Sequence, residues 1–278
     1  ADKMQVIGRV KFPPIPFNAS QALVTPSIIA VSQRGPIFIT TAGQLWSIIG
    51  QDAVPRGVSA IIGADTSGRP RTIAAPRSMA PTPNGERVAV LSGDGFVYLY
   101  DALTDDFIQQ RQIFTGTQTG YYGPIAAGPR GQYYAVNGTV LNEALTPISS
   151  VPQTTVAVPG RGSVTASTPV AAVAAVGQST IVRFTQGIRV AANTAALDSG
   201  NFELVDVNSG NATRSIAALE GPPSQVLTTA RANIEGRTMA VDASGSTVYA
   251  LTTTGLSIMP LDAQAPADRP TIAARGIV

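Results

Sequence analysis

Between Met79 and Ile113 the chain reads MAPTPNGERVAVLSGDGFVYLYDALTDDFIQQRQI, short apolar runs separated by polar turns. A first strand leads into a Pro-x-Gly turn at Pro83–Gly85, and a second strand follows at Val88–Leu91. A Gly-Asp-Gly turn (Gly93–Gly95), a strand at Phe96–Tyr100, a polar turn from Asp101 and a strand at Phe107–Ile113 complete the unit. Strands this short, bounded by Gly and Asn turns, predict a four-stranded antiparallel meander.

The centre of that unit recurs: a short apolar strand ends in Thr, Ser or Asn, meets a turn Gly and leads into a second strand. It does so at Pro36–Ile48, Gln132–Leu141, Thr180–Val190 and Thr247–Met259. The outer hairpin recurs at Ile61–Ala75, Leu204–Leu219 and Ile258–Ala274. In each, an apolar strand meets an Asp (Asp65, Asp206, Asp262; Asp101 in the clear unit). Asp opens turns because its carboxylate can accept backbone N–H groups two residues on. The turn glycines Gly43, Gly95, Gly138, Gly187 and Gly255 are spaced by 52, 43, 49 and 68 residues. A period of roughly 40–50 residues is that of propeller blades. The widest interval holds Ala191–Gly200, read as an inserted loop or short helix. Strands such as Phe96–Tyr100 are apolar at every position, as a strand covered on both faces is. Radial stacking of sheets explains this better than a sandwich with one wet face.

The units resemble the bacterial YVTN-type and Trp-Asp-repeat-like β-propellers, in which Pro-x-Gly precedes the second strand and Asp ends the third. The resemblance covers most of Ser27–Ala274, with degenerate copies that lack the Trp-Asp dipeptide and its structural histidines. It implies an all-β propeller of five to seven four-stranded antiparallel blades. Three regions are expected. Residues 1–26 hold a strand-like piece (Gln5–Phe12) able to complete the last blade and close the ring, then a Pro-rich linker. Residues 27–274 form the propeller, and residues 275–278 read as the start of a linker to a further domain.

Composition narrows the chemistry. The chain has 278 residues, no Cys and no His, which removes thiolate nucleophiles, disulfides and imidazole bases. Charged residues make up 13%, about half the usual share. The net charge is +2, and the densest basic group is Arg69, Arg71 and Arg77, so nucleic acid is not an expected partner. No apolar run approaches the roughly 20 residues of a membrane-spanning helix. The chain begins Ala1-Asp2-Lys3 without Met, like a mature end after signal-peptide removal. With the charge-poor all-β composition, that start points to secretion or the cell envelope.

No Gly-x-Ser-x-Gly elbow is present, and both lysines, Lys3 and Lys11, sit in the N-terminal arm. Most aspartates fall in turns. Asp206–Asn211 (DVNSGN) has acid or amide at alternate positions like a calcium loop, but has Asn211 where that loop needs Gly and Ala217 where it needs Glu. Asn18, Asn137 and Asn211 head glycosylation sequons that read as coincidental. Propeller lactonases hold calcium with acid and amide side chains in a central channel. The resemblance therefore keeps calcium open as a cofactor, though the residues themselves call for no cofactor and no metal.

What remains is surface recognition. In propellers the links between blades lie at one face, beside the turns between second and third strands. Here those links are long: Phe114–Pro124, Ser149–Pro169 and Leu219–Gly236. Tyr121, Tyr122, Arg161 and Arg231 within them are the candidate binding residues, being of the types that anchor interfaces. No residue is assigned a catalytic role. The sequence thus points to a non-catalytic exported propeller that binds a protein or glycan. The alternative is a His-independent lactonase-like or glycan-cleaving enzyme using Asp and Glu, with or without calcium.

Overall fold

The structure, a computed structural model, describes residues 6, 8–12, 24–56, 59, 61–63, 66, 68, 71–115, 124–151, 153–158, 162–186, 200–223, 237–261 and 271–275. Every element among them is a β-strand, and no described helix is long and apolar enough to cross a membrane. The strands form five four-stranded sheets and one two-stranded ribbon. In every four-stranded sheet the strand order is the chain order, so each is the predicted antiparallel meander. The chain divides into two compact units, Ala1–Gly116 and Thr117–Val278.

The first unit holds two sheets. The first comprises β1 (Pro26–Ser32), β2 (Gly35–Thr40), β3 (Leu45–Ile49) and β4 (Asp52–Pro55). The second comprises β5 (Pro76–Pro81), β6 (Arg87–Ser92), β7 (Phe96–Asp101) and β8 (Asp106–Gln112). Their facing sides form one core, in which Ile28, Ala30, Ile37 and Ile39 meet Met79, Val88, Val90, Tyr98 and Tyr100. Phe107 meets both tyrosine rings edge-on, at 5.9 and 6.0 Å. The opposite face of the second sheet (Ala80, Ala89, Leu91, Val97, Leu99) is also fully buried. This explains why β6 and β7 are apolar at consecutive positions.

The second unit holds three sheets. The third sheet is β9 (Ile125–Ala127), β10 (Tyr133–Val136), β11 (Thr139–Asn142) and β12 (Pro147–Ser149). The ribbon β13 (Gln153–Val158) and β14 (Gly162–Ser167) follows. The fourth sheet is β15 (Val170–Ala175), β16 (Thr180–Thr185), β17 (Asn201–Asp206) and β18 (Ala212–Ala217). The fifth is β19 (Met239–Val241), β20 (Thr247–Leu251), β21 (Gly255–Pro260) and β22 (Thr271–Arg275). Tyr133 and Ala135 pack on Val173, Ile181 and Val205, joining the third sheet to the fourth. Phe184 and Phe202 stack at 4.4 Å and pack with Val248, Ala250 and Met259, joining the fourth to the fifth.

Four local features differ from the pattern reading. Residues 61–75 do not supply an outer hairpin, because β4 pairs with β3 directly after Gly50. Their described part instead links β4 to β5, and buried Ile73 fills the first core. The partner of β16 is β17, not the segment after Gly187, so Gly200 is the turn glycine of the fourth sheet. The link Ser149–Pro169 contains a regular hairpin, as its alternation of Thr and Val with small residues permits. The first and fifth sheets also each expose apolar side chains: Ile29 and Val31 of β1 are 62% and 61% exposed, and Leu251 of β20 is 47% exposed.

The N-terminal piece lies on the first sheet. Lys11 bridges Asp52 in parallel, its N–H donating to Gln51 O at 2.7 Å while its carbonyl accepts from Ala53 N at 2.8 Å. Phe12 lies 5.8 Å from Phe38 of β2 and 6.2 Å from Trp46 of β3, against the middle strands of that sheet.

Candidate functional site

The two ends of the sheets are built differently. At one end, the turn between the second and third strand is locked to the chain leaving the fourth strand. The carbonyl of Gly43 accepts from Ile73 N at 2.9 Å, and that of Gly95 from Ile113 N at 2.9 Å. Gly138 accepts from Val151 N at 3.2 Å and Gly200 from Ala218 N at 3.1 Å. These four glycines have φ between 73° and 85°, a region other residues rarely enter. A Cβ on Gly43, Gly95 or Gly200 would overlap a backbone carbonyl oxygen, of Ile73, Phe114 and Thr185 respectively.

A buried hydroxyl closes the second strand in four of the five four-stranded sheets. Thr40 Oγ1 accepts from Gln44 N at 3.1 Å, and Ser92 Oγ accepts from Phe96 N at 3.2 Å while also meeting the Asp94 carboxylate. Thr185 Oγ1 donates to Asn201 O at 3.2 Å. Thr252 Oγ1 lies 3.0 Å from Glu220 Oε2, and the Glu220 carboxylate also accepts from Thr254 N at 3.1 Å and Thr254 Oγ1 at 2.6 Å. In the third sheet the place is taken by Asn137, whose φ of 44° with that of Gly138 makes the tight two-residue turn that Asn-Gly favours. The described residues Phe114, Val151 and Gly221 of the three long links bond to these turns in their own sheets.

At the other end the acids serve turns. Asp101 Oδ2 accepts from Thr104 N at 2.9 Å and Asp206 Oδ1 from Ser209 N at 2.8 Å. Asn142, which the Asp pattern misses, does the same work by accepting from Ala144 N at 3.0 Å and Thr146 N at 2.9 Å. The Ser209 N–H bond holds Asp206 below the ordinary carboxylate range, so Asp206–Asn211 is a hairpin turn whose acid is engaged by its own loop. Asp242 accepts from Ser244 Oγ, Ser246 N and Thr247 N, and the Ser244 hydroxyl bond leads in holding it down to about 2.

Arginines grip these turns across sheets of the first unit. Arg34 donates through Nε to Ala102 O at 2.5 Å and through Nη2 to Leu103 O at 3.0 Å. Arg56 pairs with the Asp105 carboxylate, which also accepts the Tyr100 hydroxyl at 2.6 Å. Burial first, then the Asp105 bond, pushes the Tyr100 phenol up to about 12. In the fourth sheet the buried Arg183 meets Glu203 across the β16–β17 pair at 2.5 Å.

Asp94, Asp101, Asp105, Asp206, Asp242, Glu203 and Glu220 are thus each engaged by hydroxyl, amide or guanidinium groups. Among the described residues no three acids gather to hold a metal ion. Tyr121, Tyr122, Arg161 and Arg231 all lie outside the described residues, as does Gly187. Their links are anchored at the locked end: Phe114 N and Val151 N donate to turn glycines, and Gly221 O accepts from Thr253 N at 2.9 Å.

No protein-family model matches the chain, and no curated protein matches its sequence. Among solved structures it is similar to U3-55K, at 10% identity and a TM-score of 0.54, covering 90% of this chain and 64% of that one. It is similar to the β-propeller domain of Myceliophteria thermophila Cps50 (Swd1) at 11% identity and a TM-score of 0.55, covering 89% and 69%. Dihydro-heme d1 dehydrogenase NirN in complex with DHE aligns at 14% identity and a TM-score of 0.50, covering 82% and 42%. The chain spans about two thirds of the first two and less than half of the third. At such identities the likeness is one of fold, and it agrees with the sequential four-stranded sheets: the chain is an all-β protein with the β-propeller fold.

Proposed function

We propose that this propeller is a non-catalytic interaction scaffold, exported to the cell envelope or secreted, that binds a protein or glycan through its blade-to-blade links. The carrying observation is the contrast between the two ends of the sheets. At one end the acids are spent on their own turns. At the other, the Gly turns bond the described ends of the long links, in whose sequence Tyr121, Tyr122, Arg161 and Arg231 fall. Aromatic and guanidinium groups on a rigid frame bind with little loss of freedom. The similar Cps50 (Swd1) structure is itself a propeller domain, and kinship with the YVTN-type propellers is part of the same reading.

A photo-crosslinking residue at Tyr121, with one at exposed Leu103 as the opposite-end control, tests this in the native host. Covalent adducts are expected from position 121 and lost when Tyr122, Arg161 and Arg231 are changed to Ala. Adducts from position 103 alone would reject the assignment, as would turnover of lactones or glycosides by the purified chain.

A further inference from the structure

The ribbon of β13 and β14 is the one sheet among the described residues with fewer than four strands. Its strands pair without a bulge from Gln153↔Ser167 to Val158↔Gly162. A two-stranded hairpin is marginal by itself, and an unpaired edge is a template for another strand. No described strand pairs with the outer edge of β14. Gly162 and Ser163 are exposed, and a Cβ built at Gly162 meets nothing within 4 Å.

The edge of β14 is also unguarded. The last strand of every four-stranded sheet carries a charge or a proline: Asp52 and Pro55 in β4, Asp106 and Arg111 in β8, Pro147 in β12, Arg214 in β18, Arg275 in β22. Such residues discourage edge-to-edge pairing. β14, GSVTAS, has neither charge nor proline.

We propose that β14 pairs antiparallel with β14 of a second copy of this chain, so that two half-sheets complete one four-stranded sheet. A second copy is the occupant that fits both observations. Two ribbons give the strand number at which all five other sheets stop. Pairing about a twofold axis sets residues opposite symmetry mates, so a charged strand would repel itself and an uncharged one does not. Of the residues assigned to recognition, Arg161 immediately precedes β14 in the sequence, whereas Tyr121, Tyr122 and Arg231 belong to other links.

Sedimentation velocity of the full chain over a dilution series tests the proposal, a concentration-dependent dimer being expected. Successive residues of an antiparallel strand point their N–H groups to opposite edges. One of Val164→Pro and Thr165→Pro therefore blocks the outer edge, raising the dimer dissociation constant at least tenfold with far-ultraviolet dichroism unchanged. The chain has no cysteine, so Val164→Cys and Thr165→Cys provide an independent readout: one should form an interchain disulfide on mild oxidation. A chain that stays monomeric at every soluble concentration overturns the proposal. So does a dimer that neither proline weakens and neither cysteine captures.

Discussion

Gly43 and Gly50 separate two roles that a glycine can have in the same sheet. Both sit at positive φ, 80° and 62°. A Cβ at Gly43 would overlap the Ile73 carbonyl oxygen, whereas one at Gly50 meets nothing within 4 Å. Gly50→Ala therefore bears backbone strain alone, about 1 kcal/mol. Gly43→Ala must also push back the link that delivers Ile73 to the core, raising the loss to about 3 kcal/mol. Urea titrations of the two variants check the difference, and equal losses would mean the Gly43 lock is slack. The role of Gly43 was visible in the sequence as a glycine after a strand ending in Thr. The mate of its carbonyl, 30 residues on at Ile73, was not, because nothing local marks a residue that closes a turn from outside.

At the scale of the element, the fourth sheet shows where pattern reading stops. The run after Gly187 looks like a strand, and a two-residue turn there would set Phe184 opposite Arg189 and Arg183 opposite Val190. Pairing with β17 instead sets Phe184 against Phe202 and Arg183 against Glu203. Periodicity was equal for the two candidates, and side-chain complementarity across the pair decided between them. Arg183 is 5% exposed, so its charge depends on Glu203. Arg183→Leu, which leaves Glu203 unpaired, should cost about 3–5 kcal/mol. The double variant Arg183→Leu/Glu203→Leu should recover most of that loss, since an apolar pair fits between the third and fourth sheets. A double-mutant cycle by chemical denaturation measures the coupling, and additive losses would show that the two side chains do not depend on each other.

For the whole molecule, the question is whether the acids serve a bound ion or the fold itself. The strand order was legible because the meander repeats, though β4 stands where residues 61–75 were expected and β17 where the segment after Gly187 was. The binding residues were chosen by type within long links, and the described frame supplies their anchors without placing the residues themselves. The acids are informative in the meantime. Asp101, Asp206 and Asp242 bind their own turns, Asp105 binds Arg56 and Tyr100, and Glu220 binds Thr252 and Thr254. A calcium ion using these acids would have to take them from these partners. An ion bound only to the folded chain stabilises it by about 2.7 kcal/mol at a hundred times its dissociation constant. In a chain of this size that raises the melting temperature by roughly 5 °C or more. Millimolar calcium and excess chelator should accordingly give superimposable melting curves. A calcium-dependent rise would show that acids outside these turns gather around an ion, and would move the reading towards a propeller enzyme.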